Sequence, residues 1–310
     1  MSTFLSAYRV GPRRLERLGL RRGLRIASCV ILVASLAGCG GASASGSGST
    51  LPIDGSAVGH VRTLACGTYT DLEPHVAARE SELATVPFVE MVLGDGDPCS
   101  PLPLIVALHG LGDRPSVPRW PYRDLPVTVR VVMPRGPISF GHGYAWSPIR
   151  VLDHDPTGLT ATIDVQAGRI ATFLDALIEE RQVRGGVLLA GFSQGGILAL
   201  AVAMRHPQDV GLVLPMSAWA PPELRTNAAP NAPPIRWMHG LEDERIPYDL
   251  ALEAVTDLRV RGYDVELIAY VDQPHRMSIA MDERFHSWLA RALDNIDAGR
   301  PMADGFMLEP

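Results

Sequence analysis

The chain has 310 residues, 46% of them hydrophobic and 20% charged, with a formal net charge of −6. That apolar share is enough for a large buried core and excludes a mostly disordered chain. The mature part has no large basic block after residue 25, which excludes an electrostatic nucleic-acid binder and points to small molecules as partners. The first element is basic: Arg13, Arg14, Arg17, Arg21, Arg22 and Arg25 precede the apolar run Ile26–Leu36. A basic region followed by a short hydrophobic stretch reads as an export signal over residues 1–38, too short for a comfortable membrane span.

The run ends in Leu36-Ala37-Gly38-Cys39, which resembles the lipobox of bacterial lipoproteins. That resemblance implies cleavage before Cys39, a lipid on Cys39, and a mature protein in a bacterial cell envelope, at the outer membrane or the periplasmic face. It would touch the membrane through that lipid alone. An uncleaved anchor and a soluble secreted form are the alternatives, and the paired arginines leave both general and twin-arginine export open. Residues 39–57 include GGASASGSGST, a flexible tether with nothing to bury. Of four cysteines, Cys29 leaves with the signal and Cys39 takes lipid, so the exported part keeps Cys66 and Cys99. An even pair in an oxidising compartment is expected to form a disulfide, two buried thiols being the alternative.

Residues 58–298 read as one domain and 299–310 as a C-terminal tail. Within the domain, apolar runs predict strands at Val86–Leu93, Leu104–Leu108, Val127–Met133, Val187–Ala190, Leu212–Met216, Ile235–Met238 and Val265–Val271. Helical patterns lie at Thr162–Arg181, Ile197–Arg205, Tyr248–Arg261 and Met277–Leu293. Such alternation predicts an α/β fold: a mostly parallel central sheet with helices on both faces. Ligands of these sheets bind beyond the carboxyl ends of the strands, so the residues that follow each strand carry the argument.

One such junction is AGFSQGG, in which Ser193 stands between Gly191 and Gly195. Gly-x-Ser-x-Gly alone would turn up by accident in roughly one chain in ten of this length, so its context must decide. Here a short apolar run precedes it and good helix formers follow. A sharp strand-to-helix turn strains its central residue and leaves no room for a Cβ on either glycine, and the serine oxygen is thereby exposed at a helix start. A nucleophilic serine needs a general base, and in this fold the base comes last along the chain. Beyond residue 243 the histidines are His275, in a loop after the last strand, and His286, inside an amphipathic helix beside Phe285, Trp288 and Leu289. His275 is the candidate base.

Taken in order, LHGLGD (108–113), AGFSQGG (190–196), HGLEDERIP (239–247) and PHRMS (274–278) resemble the carboxylesterase and phospholipase family of α/β-hydrolases that includes the acyl-protein thioesterases. The resemblance spans roughly residues 85–293. It implies Ser193 as nucleophile, Asp243 as the acid and His275 as the base, with the backbone N–H groups of Leu111 and Gln194 as oxyanion hole. It also implies a substrate site that includes His109 and Gly110. GYAWSP (143–148) is similar to a family segment whose aromatic residue lines the acyl pocket, so Trp146 would do so here or would pack in the core. The sequence departs from the family's His-Gly-Asp-x-Asp loop, because Leu241 replaces the first aspartate and Glu242 and Glu244 flank the second. Asp249 also follows the same strand.

The resulting expectation is a serine hydrolase acting on a small carboxylic ester or thioester through an acyl-enzyme. A serine peptidase of the same fold and a catalytically idle, membrane-tethered binding module are the rivals. No metal or organic cofactor is implied: His109, His142, His154 and His239 have no partner at helical metal-ligand spacing.

Overall fold

A computed structural model describes residues 60–306, apart from 74, 116–121, 123, 124 and 126. The signal segment, Cys39 and the tether through residue 57 lie outside the described residues. Twelve strands are described: β1 His60–Leu64, β2 Gly67–Glu73, β3 Val76–Leu83, β4 Val86–Leu93, β5 Leu104–Leu108, β6 Val129–Pro134, β7 Ile138–Phe140, β8 Gly143–Ala145, β9 Val187–Phe192, β10 Val210–Met216, β11 Ile235–Gly240 and β12 Val265–Tyr270. Four helices accompany them: α1 Pro156–Arg181, α2 Gln194–Arg205, α3 Tyr248–Val260 and α4 Ile279–Asp297.

Ten strands form one sheet in the order β1-β2-β3-β4-β6-β5-β9-β10-β11-β12. From β6 to β12 all neighbours are parallel, whereas β1 to β4 run antiparallel to their neighbours. The parallel strands are buried on both sides, which is why they read as continuous apolar runs. Helices α1, α2 and α3 cover one face through Leu159, Phe173, Leu198 and Val255, and α4 covers the other through Phe285, Trp288 and Leu289. The predicted doubly covered α/β sheet is therefore present. Residues after α4 fold back on it: Asn295 donates to the carbonyls of Met302 and Asp304, and Phe306 stacks on Trp288.

The boundaries shift for identifiable reasons. Helix α1 starts six residues earlier than its periodicity, because Pro156 occupies its first position and Asp155 accepts from the Gly158 N–H at 2.9 Å. Strand β6 starts two residues late, since the Thr128 hydroxyl accepts from the Gly96 N–H. Val271 falls beyond β12, where Asp272 turns the chain at φ 54°. Strands β1 to β3 were not anticipated from the sequence, and neither was the small β7–β8 hairpin.

The antiparallel part carries its own polar core. Cys66 and Cys99 are disulfide-bonded with Cα atoms 5.4 Å apart. Beneath them Glu90 of β4, fully buried, is gripped by Arg79, Arg130 and Arg181, and Tyr69 donates to it at 3.1 Å. Arg79 also donates to the Cys66 carbonyl (2.8 Å) and Arg130 to the Pro98 carbonyl (2.7 Å), so the carboxylate holds both flanks of the disulfide through two guanidinium groups.

Candidate active site

Strand β9 runs straight up to Ser193, which adopts φ 54°, ψ −120° and caps α2. That conformation is strained for a residue with a Cβ, and the surroundings enforce it. A Cβ on Gly191 would meet the Gly195 carbonyl oxygen at 2.3 Å, and one on Gly195 would meet the Leu108 oxygen at 2.1 Å. The Ser193 N–H is anchored on the Met216 carbonyl of the adjacent strand at 2.9 Å. The two glycines thus let three backbones converge and push the serine oxygen out at the start of a helix, where developing negative charge is favoured.

The loop after β12 brings His275 to that oxygen: Nε2 lies 2.9 Å from Ser193 Oγ. Its Nδ1 faces Asp243 at 2.9 Å (Oδ1) and 2.8 Å (Oδ2). Two loops are braced to make this contact, since the Glu242 N–H donates to the Gln273 carbonyl and a Cβ on Gly240 would strike that same oxygen at 2.1 Å. The Gln273 amide in turn donates to the carbonyls of Pro274 and Arg276, on either side of His275. Asp243 is buried, which alone would raise its pKa, but donation from His275 and from the Ile246 N–H holds it below the ordinary carboxylate value. Its neighbours take other roles. Glu244 is exposed, accepts from the His275 backbone N–H at 3.3 Å and lies 3.9 Å from Arg245 Nε.

The HGLGD loop supplies the remaining donors. His109 Nε2 accepts from the Gly136 N–H (3.0 Å), which leaves the ring proton on Nδ1, donating to the Gly110 carbonyl at 2.8 Å. In a trans peptide the C=O and the following N–H point in opposite directions, so pinning Gly110 C=O behind the loop turns the Leu111 N–H away from His109. Gln194 opens α2, and its N–H has no intrahelical partner. Its side chain accepts from the Trp146 N–H (2.7 Å) and donates to the Ser147 carbonyl (2.8 Å).

One sequence expectation needs correction, and the alternatives for Trp146 are decided. His109 does not line the substrate cavity, because both ring nitrogens are engaged by backbone behind the loop and its ring stacks on Trp146. Burial also lowers its pKa, in keeping with a neutral ring. Trp146 is 1% exposed and donates its indole N–H to the His109 carbonyl, so it packs behind the loop rather than lining an acyl pocket.

Comparison with known proteins gives the same grouping. Residues 97–290 match the Phospholipase/Carboxylesterase family model of the abhydrolases. The chain belongs to that family. It is similar to acyl-protein thioesterase 1 of Gibberella zeae, 24% identical over 55% of this chain and 82% of that protein. It is also 28% identical to the probable carboxylesterase SOBER1-like of Arabidopsis thaliana over 38% of this chain, and spans only about half (48%) of that protein's length. The fold matches that of acyl-protein thioesterase 2 of Zea mays, with TM-score 0.51, 22% identity, and coverage of 66% of this chain and 98% of that one.

A cavity of ≈ 300 Å³ opens beside Ser193 and His275, with Gly110, Leu111 and Gln194 at its polar end. Ile149, Val151, Leu152, Leu159, Ile197 and Ile246 form its apolar walls. The stretch 149–159, to which the sequence reading gave no role, supplies four of these six. Its signal was present as apolar Ile149, Val151 and Leu152 set in an otherwise polar segment just after GYAWSP.

Proposed function

We propose that this chain is a serine hydrolase that cleaves carboxylic esters or thioesters through an acyl-enzyme, with Ser193 as nucleophile, His275 as general base and acid, and Asp243 as orienting carboxylate. The observation that carries the reading is the Ser193 Oγ to His275 Nε2 contact at 2.9 Å, backed by Asp243 on the other ring nitrogen. Ser193 Oγ bonds to the substrate carbonyl carbon as its proton passes to His275 Nε2. The carbonyl oxygen becomes an oxyanion held by the Leu111 and Gln194 N–H groups. Loss of one such donor typically costs about 2.7–4 kcal/mol of transition-state stabilisation. The tetrahedral species then collapses, and the alcohol or thiol leaves with the proton from His275. Water, deprotonated by the same imidazole, attacks the acyl-serine and releases the acid.

The test is hydrolysis of a p-nitrophenyl ester series from short to long acyl chains, run beside a matched thioester, with a fluorophosphonate probe mapped by mass spectrometry. Turnover together with labelling of the Ser193 peptide supports the reading; absence of both turnover and labelling favours the idle binding module.

The same reading has the protein exported to a bacterial envelope and held by lipid on Cys39. It is supported by the arginine-rich start, the Leu-Ala-Gly-Cys sequence and the Gly/Ser tether, and the Cys66–Cys99 bond suits an oxidising compartment. A lipid mass on an N-terminal Cys39 in envelope-purified protein is expected; an N-terminus elsewhere would refute it.

A further inference from the structure

Asp243 is gripped unevenly. Its Oδ1 accepts from the backbone N–H groups of Arg245 (3.0 Å) and Ile246 (2.8 Å), as well as facing His275. Its Oδ2 has no backbone donor among the described residues: besides His275 it faces only His239 Nε2, at 3.4 Å. His239 is the penultimate residue of β11, is 0% exposed, and had no role in the mechanism above.

The ring's protonation follows from its partners. Nε2 lies 2.8 Å from the Ile246 carbonyl oxygen and 3.4 Å from Asp243 Oδ2. Both are acceptors, so Nε2 carries the proton. Nδ1 is buried and has no partner among the described residues. A second proton there would leave a buried, unpaired N–H on a cation, which is costly. The titratable groups facing the ring are Asp243 on the same turn, His275 beyond it, and Tyr248 of α3, whose ring meets it edge-on at 6.0 Å. Burial accordingly lowers the pKa of His239.

One imidazole therefore fastens the acid-bearing turn at two points. Its N–H holds the Ile246 carbonyl, while the N–H of that same residue holds Asp243 Oδ1; the side of the ring toward Oδ2 closes the clamp. We infer that His239 is a positioning residue for the Asp243–His275 pair, a permanently neutral donor that fixes the rotation of the carboxylate while His275 gains and loses its proton. The inference rests on the proposed serine-hydrolase reading and deepens it.

The donor also competes for the carboxylate's negative charge. Its loss leaves Asp243 more basic and strengthens its pull on the His275 proton. In the full chain, His239→Phe keeps a ring in the space but removes the donor. It is expected to lower kcat about 10- to 100-fold, leave KM within about two-fold, and move the acid limb of kcat/KM to higher pH. His239→Gln restores an N–H donor and is expected to recover most of the rate and the original acid limb. An unchanged kcat and acid limb in a folded His239→Phe variant would overturn the proposal, as would a His239→Gln variant that falls equally far.

Should the phenylalanine variant fail to fold, side-chain ¹⁵N NMR of the wild-type protein decides. It should show His239 protonated at Nε2 and bare at Nδ1 from about pH 5 to about pH 8. A ring that titrates in that window, or carries its proton on Nδ1, overturns this proposal alone. Ester turnover that survives Ser193→Ala would instead remove the parent reading and this one with it.

Discussion

Glu90, in the middle of β4, and Asp243, just beyond β11, are both carboxylates with side chains shut away from solvent. Burial would raise the pKa of each, yet each is held below the ordinary value. What differs is who does the holding. Around Glu90 it is three guanidinium ions that stay charged at any working pH, so the cluster can only be made or broken. Around Asp243 it is two backbone amides and two imidazoles, one of which faces the cavity. A depressed carboxylate thus marks architecture in one half of the sheet and, on the proposed reading, chemistry in the other. The identity of its donors, and its position at a strand's end rather than its middle, separate the two uses.

The sharpest way to break this contrast is at the nucleophile. Ser193→Ala is expected to reduce kcat for a p-nitrophenyl ester by at least about 10⁴-fold while the melting temperature stays put. A residual rate near wild type would make the whole polar end of the cavity incidental.

Next comes the carboxylate on the chemical side. Asp243→Asn leaves the imidazole free to take the wrong tautomer and should lower kcat about 10²- to 10⁴-fold. Glu242→Gln and Glu244→Gln should stay within about three-fold, because surface charges of this kind contribute little. A larger fall in either glutamate variant than in Asp243→Asn would reassign the acid.

The architectural carboxylate should behave in the opposite sense. Glu90→Gln takes the shared anion from buried Arg130 and Arg181 and part-buried Arg79, and is expected to cost about 3–5 kcal/mol of stability, with kcat of the folded protein unchanged. The pH dependence has a definite sign. Since the folded pKa of Glu90 lies below its unfolded value near about 4.3, its contribution is fully present above that value. It is lost as pH falls through the folded pKa. Urea unfolding at about pH 7 and about pH 3 should therefore give a wild-type advantage over Glu90→Gln that shrinks on acidification; a constant gap would show that the charge is not what matters.

The smallest effect belongs to the disulfide. Replacing Cys66 and Cys99 by serine is expected to cost about 2–4 kcal/mol, nearer the lower figure because Arg79 and Arg130 already hold both flanks. Combining it with Glu90→Gln should then cost more than the sum of the two. Simple additivity in calorimetry would mean that cluster and disulfide act independently.

How much of this was legible depended on where each residue's partners lie in the chain. Strands β5, β9 and β10 were readable because their neighbours on both sides are apolar, so the run itself carries the signal. Strand β3 was not. Its Arg79, Glu80 and Glu82 look like a solvated segment until Glu90 is brought beside Arg79. Ser193 was legible from its two glycines, since the crowding that requires them is local. The acid was assigned to Asp243 through the resemblance alone, because Glu242, Asp243 and Glu244 differ in the direction each faces, and direction is set by the Ile246 and Gln273 contacts. His109 was assigned to the right loop and the wrong side of it, and of the two places left open for Trp146 it takes the core. A sequence records that two residues adjoin a site, not which of its walls they stand behind.

The placement of Trp146 has a practical side. Its indole ring lies against His109, its N–H is tied to the carbonyl that precedes Gly110 and Leu111, and its backbone N–H is tied to the Gln194 side chain. Any ligand that tightens or displaces the loop must alter the surroundings of that chromophore. Among the described tryptophans, this is the one hydrogen-bonded to both His109 and Gln194. Intrinsic fluorescence therefore gives this protein an optical gauge of loop position, readable in a stopped-flow cell without any added dye.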